Sequence, residues 1–256
     1  MSWSGYHRLQ GLIFTGWGLF ALDIVLSGKI LFYINRRFVI LILLTAVVFL
    51  GLAEVVLTAP RHQRQEENSD REPEHDHSLE AHAGQRPPVW GLVILALPLI
   101  LGVIVPSRPL ESSVVANRGV NATAPLGRLQ NSSTTSVGIA STEKSVLDWV
   151  GDFNSGSDPS IYVGQEAIVS GFVYHDARMG PDQFLVGRFV VTCCVADALA
   201  LGMVVHWPGA DKLAANSWVL VKGPVSISNL GGQRLPGIEA SQVNAIPSPD
   251  QPYLFP

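Results

Sequence analysis

The sequence predicts a bipartite chain: a membrane α-helical N-terminal region with three transmembrane helices, then an all-β C-terminal domain folded as a five-stranded OB-like barrel. Three observations carry this. Leu9 to Leu26, Phe38 to Leu57 and Val89 to Val105 are nearly uncharged apolar runs, each close to the roughly 17 to 25 residues that span a bilayer. From Ile161 onward, short β-branched and aromatic runs alternate with Gly, Pro, Asn and Asp, the pattern of strands and turns. Hydrophobic residues at 47% and a positive mean hydropathy average a strongly apolar half with an ordinary polar one.

Residues 1–60 are read as two transmembrane helices joined by a short hairpin, 61–88 as a His-rich acidic loop, and 89–106 as the third span. Residues 107–141 follow as a Ser/Thr/Asn-rich tether, and 142–256 as the β-domain. Span three is short and contains Pro98, which a membrane helix tolerates when a neighbour satisfies the freed carbonyl. His7 and Arg8 precede the first run as in a signal peptide, but the run is long for one and ends without a clear Ala-x-Ala site. The segment Ser27 to Arg37 is too short to fold alone; Lys29, Tyr33, Arg36 and Arg37 suit headgroup depth.

Positive charge does not set the topology, because five basic residues fall on each side of the spans. The flexible tether fits an exported domain, which favours a cytoplasmic N-terminus and an extracytoplasmic C-terminal domain. Asp23 and Glu54 each sit near the C-terminal end of their own span. Antiparallel spans put them towards opposite leaflets, so they read as boundary carboxylates rather than one ion site.

Between Arg61 and Arg86, seven acidic side chains and four arginines surround His62, His75, His77 and His82. With so little apolar surface to bury, the stretch is expected to lack fixed structure. Its imidazoles and carboxylates offer weak transition-metal ligands, sharpest at His75-Asp76-His77. In the tether, Asn121 and Asn131 begin glycosylation sequons by pattern alone. A short amphipathic helix is expected around Thr142 to Val150.

Five strands are expected, near Glu166 to Tyr174, Phe184 to Thr192, Met203 to Trp207, Trp218 to Ile227 and Ile238 to Ile246. Gly171 and Gly187 would allow the bends that close a small barrel. Such barrels host oligonucleotide binders. Here eleven Asp or Glu against six Lys or Arg from Thr142 to Pro256 exclude nucleic acid as the expected partner.

The chain's two cysteines, Cys193 and Cys194, are adjacent, with Asp197 close behind. Thiols and a carboxylate so spaced could ligate zinc or copper, with His175 or His206 as the nearest nitrogen donors from flanking strand ends. They could equally be redox-active, or simple core residues with Asp197 capping backbone donors. Continued strand alternation would send the thiols to opposite faces, whereas a turn would bring them together. No Ser-His-Asp order, phosphate-cradling Gly loop or zincin spacing marks an enzyme.

The hairpin residues Tyr33-Ile-Asn-Arg-Arg-Phe38, the third span Leu97-Pro-Leu-Ile-Leu-Gly-Val-Ile-Val-Pro106, Gly171-Phe-Val-Tyr174, the block Arg188-Phe189-Val-Val-Thr192-Cys-Cys-Val-Ala-Asp-Ala198 and Pro252-Tyr-Leu254 together resemble the YcgQ-type family of bacterial membrane permease subunits. The resemblance implies a lipid-embedded plasma-membrane protein working beside a separate multi-pass permease subunit, and no reaction. Two functional readings follow: an accessory subunit that captures or delivers a divalent or soft metal ion, or an interaction protein whose β-domain binds a partner protein or envelope component without metal.

Overall fold

The computed structural model describes residues 3–58, 89–118, 139–155 and 158–256. His62, His75, His77 and His82, and the two sequons, lie outside these. The chain forms two compact units, Met1–Ile30 with Val39–Ser107, and Leu31–Phe38 with Arg108–Pro256.

Helices α1 (Trp3–Leu26), α2 (Val39–Thr58) and α3 (Val89–Ile104) make the first unit. Ile40, Leu41, Leu44, Val47, Val48, Leu52 and Val55 of α2 are all exposed. An exposed apolar coat of that extent marks an interaction surface, with a membrane or another protein. The faces of α1 and α2 that meet are small or aromatic. Ala46 and Ala53 are buried, Gly18 leaves room for Leu50, and Trp17 stacks on Phe49 at 5.9 Å. Small residues permit close packing in lipid, where the hydrophobic effect does not drive helices together.

Of the three spans expected, two are long and apolar enough to cross a membrane, at 22 and 23 residues. Helix α3 has only 16 residues, about 24 Å at 1.5 Å per residue. It is nonetheless apolar and packs on α1, with Leu99 against Gly16 and Phe20 against Gly102. Pro98 lacks an N–H to offer the preceding turn. Trp17 Nε1 donates to the Leu95 carbonyl in that turn at 3.0 Å, one residue beyond the Ile94 carbonyl that Pro98 leaves free.

The second unit holds α4 (Ser112–Arg118), α5 (Val146–Phe153) and seven strands: β1 (Glu166–Tyr174), β2 (Gln183–Val190), β3 (Leu199–His206), β4 (Trp218–Leu230), β5 (Gln233–Glu239), β6 (Gln242–Ile246) and β7 (Tyr253–Leu254). Helix α5 begins with a capping box, in which Ser145 accepts from the Asp148 amide and the Asp148 carboxylate accepts from the Ser145 amide. It buries Val146, Trp149 and Val150 against the sheet.

Strand pairing runs β1-β2-β3-β5-β4-β6, and β1 also pairs with β4. All these pairings are antiparallel except β3 with β5, which is parallel. One face of the sheet packs Val169, Phe184, Val186, Met203, Val221 and Ile238 into the main core. Phe172, Phe189, Val191 and Tyr253 form a second cluster. Where β1 and β2 meet, a Cβ on Gly171 would collide with the Gly187 carbonyl oxygen, so glycine here permits a close approach of the two strands.

Five strands were expected and seven are present among the described residues. The last expected strand, Ile238 to Ile246, is two: β5 ends at Glu239, and Ser241 folds back on Lys222 before β6. A further hairpin, β4 to β5, turns at Gly231 and Gly232 with φ of 59° and 84°, the two positive φ values of a tight hairpin loop. Nothing stands within 4 Å of a Cβ placed on Gly232, so Gly232→Ala isolates the backbone term. It should cost about 1–2 kcal/mol, read as a lowered melting temperature of the intact chain.

Candidate functional site

Strand β2 stops at Val190, and the segment Thr192 to Asp197 becomes a turn because Asp197 supplies what a strand neighbour otherwise would. Its Oδ1 accepts from the Thr192 amide at 3.1 Å and its Oδ2 from the Cys193 amide at 2.7 Å. A 3-10 turn, Val195–Asp197, closes the segment, with the Asp197 amide donating to the Cys194 carbonyl at 2.9 Å. Both thiols are free, and the turn brings their sulfurs to 3.6 Å. Cys193 is exposed and Cys194 half-buried.

The outer edge of this turn is occupied by the segment Leu31–Phe38, which belongs to the same unit. Ile34 forms an antiparallel bridge with Cys194. The Asn35 amide donates to the Cys193 carbonyl at 2.9 Å, and the Val195 amide donates to the Tyr33 carbonyl at 2.8 Å. Asn35, only 2% exposed, sends its side-chain amide to the Thr192 carbonyl at 2.9 Å and to the Val191 carbonyl at 3.4 Å. A buried asparagine so engaged fixes register as well as energy. Residues 27–37 were expected as an interfacial hairpin too short to fold alone; Tyr33, Ile34 and Asn35 meet the Cys-Cys turn.

The electrostatics of the turn keep the Cys193 thiol protonated. Its pKa is pushed up to about 11, first by its hydrogen bond to Asp197, then by Cys194. Burial acts to raise the Asp197 pKa, but the Cys193 thiol and the amides of Cys193, Thr192 and Cys194 outweigh it and hold the carboxyl below its ordinary value. A thiolate is the form that attacks, so this environment does not activate Cys193 as a nucleophile.

The expected nitrogen ligands are not at the turn. His206 pairs opposite Gln183 at the start of β2, and β2 runs roughly 23 Å, at 3.3 Å per residue, before its Cys end. There His206 meets Ser228 Oγ at 3.3 Å and the Gln183 side chain. His175 follows β1 at that same far end and contacts the Leu213 carbonyl at 2.8 Å. Among the described residues, no group of three or more His, Cys, Asp or Glu is placed to hold a metal ion.

The other motif residues are structural neighbours of the turn. Thr192 is exposed and contributes its backbone. Ala198 is buried, and Phe189 lies in the second core cluster. Beside them a recess of about 330 Å³ is bounded by Val114, Phe189, Asp197, Ala198 and Leu199. Arg188 is 8% exposed, its guanidinium 5.0 Å from the centre of the Trp218 ring.

An apolar helical part joined to a β-sheet domain that carries a Cys-Cys turn defines a membrane-associated protein with a folded domain. The chain belongs to the DUF1980 family: the DUF1980 N-terminal domain matches residues 9–121 and the DUF1980 C-terminal domain residues 126–256. It is similar to UPF0703 protein YcgQ of Bacillus subtilis (strain 168), at 25% identity over 64% of this chain and 67% of the relative. It is also similar to a protein of Streptococcus mutans serotype c named "Putative two-component membrane permease complex subunit", at 25% identity over 96% of this chain and 98% of that one. No solved structure matches the chain.

Proposed function

We propose that this chain is a membrane-anchored accessory subunit of a two-component permease complex, with a multi-pass subunit as its partner and no catalytic step of its own. The name of the full-length Streptococcus relative supports the assembly. The single structural observation that carries the architecture is the bridge between Ile34 and Cys194. Ile34 lies between α1 and α2, and Cys194 follows α3. Segments that pair must be on one side of the bilayer, so the chain between them crosses an even number of times. With α2 crossing, this supports a crossing by α3 as well, the short third helix spanning by local thinning of the bilayer or help from its flanks.

The strand pairings support an OB-like barrel for the domain, since β1-β2-β3-β5-β4 returns to β1, the closure that removes free edges from a small sheet. This part then serves as a rigid head beside the partner. The Cys-Cys turn acts as the clasp that receives the hairpin, rather than as a metal carrier.

The test is purification of the tagged full-length chain from native membranes. Detergent should be required for extraction, and a multi-pass protein should accompany it in constant ratio through two columns. A membrane-impermeant maleimide applied to intact cells at mildly alkaline pH should label Cys193 if the domain is extracytoplasmic. Recovery of the chain from the aqueous fraction would dismiss the anchored reading, and recovery from detergent with no multi-pass companion would dismiss the complex.

A further inference from the structure

Arg188 is a buried cation whose charge nothing in its surroundings answers. Among the described residues it forms no ion pair, one donor reaches the Gln251 carbonyl at 3.3 Å, and its Nε–H is buried with no acceptor. Trp218 offers a ring face, which compensates a charge only in part. Burial also pulls the guanidinium pKa down to about 10. A buried, hydrogen-bond-deficient guanidinium is costly to maintain, and proteins keep such groups chiefly where a ligand completes them.

Arg188 lines a recess of about 200 Å³ shared with Glu143, Lys144, Ser145, Ser170 and Leu254. Lys144 is already neutralised, at 2.8 Å from Asp152, and lies over the rings of Trp149 and Tyr162. That leaves Arg188 as the free positive charge of the recess, with an exposed carboxylate, Glu143, at its wall. The guanidinium fork matches a carboxylate or a phosphate in two parallel hydrogen bonds. Glu143 decides between them, because a second negative charge on the ligand would face it.

We infer that this recess binds the carboxylate of a small monoanionic ligand, with Arg188 as its partner and the hydroxyl of Ser170 beside it, the Ser145 hydroxyl being held by Asp148 at 2.7 Å. The volume admits a carboxylate with a few carbon atoms, free in solution or at the end of a peptide chain. The inference does not depend on the permease reading, since every residue it uses lies within one unit.

The experiment follows thermal unfolding of the detergent-solubilised full chain, at constant ionic strength, with acetate, acetamide, phosphate, acetyl-dialanine and its C-terminal amide as probes. Acetate or acetyl-dialanine should raise the melting temperature saturably over chloride, while acetamide and the amide should not. Stronger stabilisation by the peptide identifies a chain terminus as the source, and equal stabilisation a free acid; either supports the site. Arg188→Lys should weaken carboxylate binding by about tenfold, through loss of the fork. Glu143→Gln should strengthen phosphate binding by about tenfold, with one repulsive charge removed. Should acetate and acetyl-dialanine act as chloride does, or phosphate bind wild type as well as carboxylates do, the inference is overturned. The comparison of carboxylate with amide needs only the unaltered protein, so a variant that fails to fold leaves the test intact.

Discussion

Replacing Asp197 by alanine should accelerate alkylation of Cys193 near pH 8 by roughly 10- to 100-fold, because a thiol near its ordinary pKa of about 8.5 holds far more thiolate there than one raised as this one is. The reason is local. Asp197 accepts from the Thr192 and Cys193 amides and from the Cys193 thiol, which its charge and hydrogen bond keep protonated. A less basic thiolate is also a weaker nucleophile, which keeps the gain below the full ratio of thiolate fractions. The stability loss should be modest, about 1 kcal/mol, since the freed donors are exposed and can turn to water. Mass-resolved maleimide kinetics on the solubilised chain provide the measurement; an unchanged rate would mean that the carboxylate does not control the thiol.

The same pair fixes a pH dependence. The folded pKa of Cys193 is raised, so its contribution is complete below the unfolded thiol value and is lost as pH climbs through about 11. That of Asp197 is lowered, so its contribution is present above the ordinary carboxyl range and fades as pH falls through the folded value. The turn is therefore firmest from mildly acidic to mildly alkaline conditions. Alkylation of wild-type Cys193 should keep rising with pH beyond the point at which an ordinary thiol levels off.

Element type was legible wherever composition and period agreed. Strand β1 was expected at Glu166 to Tyr174 and occupies those residues, since β-branched and aromatic residues on both sides of Gly171 keep the strand pattern. Strand β2 was extended on paper to Thr192 because Val190, Val191 and Thr192 have strand propensity. In the structure Asp197, five residues on, claims the Thr192 amide, a side-chain competitor that propensity does not register. The Gly231-Gly232 pair between two strand-like runs is itself a hairpin signal. At the candidate site, Cys193, Cys194 and Asp197 share one turn, the second of the two arrangements that the sequence left open. His175 and His206 did not, because closeness in sequence to a strand says nothing about which end of it a residue shares. Asn35 lies more than 150 residues away in sequence from its partners, and no local pattern announces a contact of that kind.

Phe189→Ala should be the most destabilising change within the conspicuous Arg188 to Ala198 block, at about 3–5 kcal/mol. Phe189 is 2% exposed; it stacks on Phe172 with ring centres 5.1 Å apart and meets Tyr253 edge-on at 6.3 Å. Its loss removes a large apolar side chain and strands two aromatic neighbours around a cavity the strands cannot collapse to fill. Its backbone also pairs with Tyr253 in β7, and the Tyr253 hydroxyl accepts from the Leu110 amide at 2.7 Å. Loosening Tyr253 therefore also frees the segment leading into α4. A fall in the melting temperature of roughly 10 to 20 °C is expected for a domain of this size. Phe189→Leu, which keeps most of the volume, should lose much less. Equal losses for the two substitutions would show that ring stacking matters more than cavity volume, and no loss for either would show that this cluster is not part of the cooperative core.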